Sequence, residues 1–99
     1  MKRRVQLSFN TKVLLYPGAI AQITAHVRRD VYVERLRITD RPKDWHVSSL
    51  HIGDHLVWKG SKRPPTFARR GQAVALIVSY VGQRKKGRLF HGTLLGVAA

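Results

Sequence analysis

Apolar residues in this chain recur at every second position, segment after segment, and rarely at the three-and-four spacing of a helix. Side chains of an extended strand alternate between two faces, so a chain patterned this way buries one face of each strand and has no helical stripe to bury. Val5, Leu7 and Phe9 alternate with Arg4, Gln6 and Ser8. After the turn signal Pro17-Gly18, Ala21, Ile23, Ala25 and Val27 share one side against Gln22, Thr24, His26 and Arg28.

Further along, "VYVERLRIT" places Tyr32, Leu36 and Ile38 toward the core, with Glu34 of the same parity near the strand's exposed start and Arg35, Arg37 and Thr39 toward solvent. Asp40 and Pro42 break the pattern. "WHVSSLHIGDHLVWKG" reads as two short strands around Gly53-Asp54, with Leu50, Ile52, Leu56 and Trp58 as core positions. The parity slips between Val47 and Leu50, which is where a β-bulge is expected. "KGSKRPPTFARRG" has no period, and Pro64-Pro65 excludes it from a central strand, so it reads as a long surface loop pinned by Phe67. "QAVALIVSYV" and "RLFHGTLLGV" are apolar strands whose link "GQRKKG" predicts a β-hairpin with a cationic tip. No helix and no internal repeat stands out. The whole predicts an all-β fold, a small antiparallel β-sandwich or jelly roll of seven to eight strands, with a five-stranded OB-like barrel as the alternative. A chain of 99 residues holds one core, so residues 1–99 are expected to form a single domain.

Charge narrows the class of partner. Lys and Arg number 19 against 5 acidic residues, a net charge of +14, which repels itself unless the protein works beside something anionic. The cations cluster at strand ends and in connections: Lys2, Arg3 and Arg4; Arg28 and Arg29; Arg41 and Lys43; Lys62 and Arg63; Arg69 and Arg70; Arg84, Lys85, Lys86 and Arg88. Arginine dominates, and a guanidinium grips a carboxylate or phosphate through two parallel hydrogen bonds where lysine acts as a point charge. Apart from Arg41 and Lys43, these clusters are the candidate polyanion-binding residues. The plain alternative is a set of solvated turns whose charges keep sheet edges from pairing with other chains.

Several chemistries find no support in the residues. Gly82 and Gly87 make a G-x-x-x-x-G frame after an apolar run, but a phosphate loop continues with Lys and Ser or Thr into a helix, and Arg88 and Leu89 follow here instead. There is no cysteine, which removes disulfides, thiolate metal sites and cysteine nucleophiles together. His51, Asp54 and His55 lie close in sequence, yet on a strand-turn-strand segment they do not converge as helical ligands would, so no metal is expected. Ser48 or Ser49 with a nearby His and Asp44 lacks any nucleophile elbow, and five acids leave little room for paired-carboxylate catalysis. We therefore expect no enzyme, no cofactor and no small-molecule substrate. Trp45, Trp58, Tyr16, Tyr32 and Tyr80 could stack bases, although aromatic strand positions are more often core. The apolar runs fall short of the roughly 20 residues of a membrane helix, and "MKRRVQLSF" lacks the apolar region of a secretory signal, so a soluble, unprocessed chain without membrane insertion is expected.

"PGAIAQITAHV", "ERLRITDRPKDWHVSSLHIGDHLVWKG", "PPTFARRG", "VALIVSYVG" and "RLFHGTLLG", in that order over residues 17–96, resemble small all-β virion-associated structural proteins of bacterial viruses and prophages, of the capsid or decoration type. The resemblance implies a non-catalytic β-sandwich subunit packed in many copies, with copies of itself or an acidic capsid-type lattice as partners. It also implies a place in the virion after assembly in the host cytoplasm, the alternative being a cytoplasmic protein. The chain departs from that pattern in being far more basic at "KGSKRPP" and "QRKKGR", which keeps nucleic acid open as a partner. The second reading is a basic nucleic-acid-binding β module, OB-like or ribosomal-type, in which the same clusters track phosphates.

Overall fold

The computed structural model describes residues 3–99. Lys2, one of the candidate cations, lies outside the described residues. Eight strands follow one another: β1 (Arg4–Asn10), β2 (Ile20–His26), β3 (Val31–Ile38), β4 (Trp45–Ile52), β5 (His55–Lys59), β6 (Thr66–Ala68), β7 (Ala73–Tyr80) and β8 (His91–Ala98). A 3-10 turn, Pro42–Asp44, precedes β4. The strands form two antiparallel four-stranded sheets, ordered β1-β8-β3-β6 and β2-β7-β4-β5, which pack face to face as a β-sandwich rather than closing into a barrel.

The alternation explains the layers. Phe9 of β1, Ile23 of β2, Leu50 and Ile52 of β4, Trp58 of β5, Val74, Leu76 and Val78 of β7 and Leu94 of β8 fill the space between the sheets. Their neighbours on each strand point outward. The slip expected between Val47 and Leu50 is present as a register shift between Val47 and Ser49 against β7. It turns Val47 and Leu50 to the same side although three positions separate them, and both are buried.

Four expectations are corrected. The "GQRKKG" link does not close a hairpin: β7 lies in one sheet and β8 in the other, and residues 81–90 cross between them. The crossing is stitched to the β1–β2 connection, with Leu15 N–H donating to Arg88 O (2.8 Å) and Arg88 N–H to Leu15 O (2.9 Å). Ten residues exceed the two to five that hairpin loops use. Tyr32 is not a core residue; β3 bulges between Val33 and Arg35, so Val31 and Val33 face inward before the bulge and Leu36 and Ile38 after it. Tyr32 is 43% exposed as a result. Leu56 is exposed as well, because a third shift, between Leu50 and His51 against β5, leaves only Trp58 of β5 deeply buried. Finally, the segment after Lys59 is not all loop: Thr66–Ala68 adds to β3 as a short edge strand, placed just past the prolines, and the residue it buries is Ala68 rather than Phe67.

The glycines of the G-x-x-x-x-G frame serve packing. Gly87 adopts φ +81°, a left-handed conformation that glycine takes without strain. A Cβ on Gly82 would sit 2.5 Å from the ring of Tyr80, which is fully buried and whose hydroxyl oxygen accepts Arg84 N–H at 3.1 Å. No helix follows either glycine, so no row of amide donors faces a phosphate.

Candidate polyanion interface

The topology gives the sandwich two ends. At one end β2 turns into β3, β6 turns into β7 and β1 begins beside the end of β8. Arg28 and Arg29 occupy the first turn, Arg69 and Arg70 the second, and Arg3 and Arg4 the start of β1. Backbone bonds tie these segments together: Gly71 N–H donates to Val27 O (2.7 Å), Ala98 N–H to Arg3 O (2.8 Å) and Ala99 N–H to Asp30 O (3.1 Å). Six arginines from three separate segments thus share one end, which we call the arginine pole. Among the described residues its acidic side chains are Asp30 and Asp54, and Asp30 Oδ1 accepts the Arg70 N–H at 2.8 Å. A small hollow beside Arg28, Arg29 and Arg70 and a larger cleft beside Arg3, Arg4, Arg28 and Arg29 run along this end.

The crossing segment 81–90 lies at the opposite end with the Pro42–Asp44 turn. Arg84, Lys85 and Lys86 are exposed there. Arg88 belongs to the fold instead: its side chain is 15% exposed and lies 3.7 Å from both Asp40 and Asp44 carboxylates, in the connection between β3 and β4. Its backbone is fixed by the Leu15–Arg88 bridge. Replacing Arg88 with alanine should therefore cost about 1–2 kcal/mol of stability, between an exposed and a buried ion pair, and leave polyanion binding nearly unchanged. Urea unfolding together with a binding titration checks both halves. The same end exposes Val13, Leu14, Tyr16, Ile20 and Val81.

Lys62 and Arg63 join neither group. They sit in the β5–β6 connection along the side of the sandwich, where Arg63 Nε donates to Gly60 O (3.1 Å) and its guanidinium lies 5.9 Å from the Trp58 ring centroid. Trp58 Nε1 in turn donates to Pro64 O (2.8 Å), so this loop is tied down over the core.

The two outer faces differ sharply. On the β1-β8-β3-β6 sheet, register aligns Arg4, Val97, Tyr32 and Phe67 in one row, with Arg35 and Arg37 in the rows beyond. Tyr32 and Phe67 pack with ring centroids 5.1 Å apart, and both are partly exposed. The other sheet presents Gln22, Thr24, Ala75, Ile77, Ser79, Ser49 and His51, with Lys59 at its edge. Of the five aromatic residues weighed for stacking, Trp45, Trp58 and Tyr80 are buried, and Trp45 contacts Tyr80 and Phe90 at 4.9 and 5.2 Å. Tyr16 and Tyr32 are exposed. Sequence reading missed the arginine-aromatic face because it assigned Tyr32 inward. Glu34, on the same parity as Tyr32, was the signal that the alternation slips there.

Among the described residues, no group of three or more His, Asp or Glu side chains comes together to hold a metal. His51 Nε2 lies 3.4 Å from Ser49 Oγ, and His91 Nδ1 lies 2.8 Å from Asn10 Oδ1. No helix among them is long and apolar enough to cross a membrane. No protein-family model matches the chain, and neither a curated protein nor a solved structure matches it.

Proposed function

We propose that this chain is a non-catalytic assembly protein that seats its arginine pole on an anionic partner surface. The observation that supports this reading is the convergence of Arg3, Arg4, Arg28, Arg29, Arg69 and Arg70 from distant parts of the sequence. Like charges brought together oppose folding, so their gathering is best understood against a neighbour that neutralises them. The exposed apolar set at the other end, Val13 to Val81, is a surface suited to packing against further copies. A virion subunit of the capsid or decoration type, present in many copies against an acidic lattice, is the form of this reading that the strand-and-turn resemblance favours.

A second reading is a nucleic-acid-binding β module. The Tyr32–Phe67 pair beside Arg4, Arg35 and Arg37 favours it, because bases stack on exposed rings while guanidinium groups track phosphates. Sedimentation of the purified chain across a salt series, with and without single-stranded nucleic acid, separates the two. Discrete protein-only oligomers indifferent to nuclease support assembly. A monomer that binds nucleic acid with steep salt dependence supports the second reading and counts against the first.

A further inference from the structure

The sandwich is closed along one side by the β5–β6 connection and open along the other, where β1 and β2 are the unpaired margins of the two sheets. A cleft of about 700 Å³ lies between them. Its floor is apolar, built from Val5, Leu7, Val27, Val33 and Leu94, and its rim at the pole carries Arg3, Arg4, His26, Arg28 and Arg29.

The edge of β1 offers main-chain hydrogen bonds as well. Ala98 N–H donates to Arg3 O and Thr11 N–H to Phe90 O, which fixes the antiparallel alternation: Arg3, Val5, Leu7 and Phe9 bond to β8. The N–H and C=O groups of Arg4, Gln6 and Ser8 consequently point away from β8, and no strand among the described residues pairs with them. Natural proteins usually blunt such an edge with proline, a bulge or a covering loop. Val5 to Phe9 has none of these, and its register to β8 is unbroken.

We propose that β1 and the cleft beside it receive an extended segment of an acidic partner protein, added as a fifth strand to the β1-β8-β3-β6 sheet. This rests on the reading of the arginine pole as the seat of an anionic partner. Alternate side chains of an added strand face opposite ways. Apolar ones would enter the cleft over Val5, Leu7 and Leu94, and acidic ones near the pole would meet Arg3, Arg4, Arg28 and Arg29. A second copy of β1 does not supply this complement, because "RVQLSFN" contains no acid. Free phosphates or nucleic acid would meet the rim but gain nothing from the apolar floor or the β-spaced amides.

The test uses the full chain and three fluorescent probes: a peptide alternating valine and glutamate, one of the same composition in two blocks, and an oligothymidylate. The alternating peptide should bind best, and its binding should protect the Arg4, Gln6 and Ser8 amides from hydrogen exchange. Gln6→Pro removes one outward amide and leaves the β1–β8 ladder intact, so it should weaken the alternating peptide about tenfold while leaving the melting temperature and oligothymidylate affinity unchanged. Arg28→Ser with Arg29→Ser should weaken all three probes, since each is anionic. Equal affinity for the two peptides, absent amide protection, or a Gln6→Pro variant that is folded and binds normally would overturn strand addition. If the double arginine variant then still weakened the probes, the pole would stand without the strand; if it did not, the pole itself would fall. Should Gln6→Pro unfold, the exchange measurement on the unaltered chain decides alone.

Discussion

Trp58→Ala should destabilise the sandwich by about 3–5 kcal/mol, the cost of emptying a large buried aromatic site. Trp58 is 1% exposed and is the one deeply buried side chain that β5 contributes, so no neighbour on that edge strand can collapse into the void. Its indole N–H also donates to Pro64 O at 2.8 Å, which ties residues 60–65 against the core. Removing the ring therefore frees the loop that leads to β6, and the loss extends beyond the cavity. In a domain with total stability of roughly 5–15 kcal/mol, this is a large fraction. Urea unfolding should show the midpoint falling, and thermal melting should shift by at least about 12 °C for a chain of this size. A shift below about 4 °C would mean that the ring is not packed as described.

Replacing Arg28, Arg29, Arg69 and Arg70 together with serine should have the largest effect on binding. With six arginines engaged on a phosphate-bearing partner, log affinity should fall against log salt with a slope of about −5; removing four should leave a slope of about −2. An acidic protein surface should respond in the same direction with a smaller slope, since no condensed counterion layer is released. Stability should change little or rise slightly, because these side chains are exposed and repel one another. Titration at several salt concentrations, with a melting curve beside it, reads both. An unaltered slope would remove the pole from the binding surface.

The residues carried more of the fold than of the site. Local alternation fixed the inward faces of β1, β2 and β4, and even the bulge after Val47 was legible as a slip of parity. The sheet partition was not legible in the same way, because it is a non-local choice: β7 and β8 read as neighbours joined by a turn, yet each is the inner partner of two other strands. The length of the crossing from Val81 to Phe90 was the available sign. The bulge at Glu34 was missed because one acidic residue on the apolar parity reads equally as a frayed strand start. For the site, each arginine pair could be named, but their convergence depends on which turns share an end. Only the topology decides that, and it separates Lys62 and Arg63 from the others and turns Arg88 inward to Asp40 and Asp44.

A charge-matched comparison bears most directly on the arginine pole. One variant carries serine at Arg28, Arg29, Arg69 and Arg70; the other carries serine at Lys43, Arg84, Lys85 and Lys86 at the opposite end, so both lose the same net charge. Their affinities for one polyanion, measured at a single salt concentration, should differ by at least about tenfold, with the pole variant the weaker, since short-range pairing acts where screening removes long-range attraction. Equal weakening of the two variants would show that overall charge, with no particular end of the sandwich, accounts for the binding.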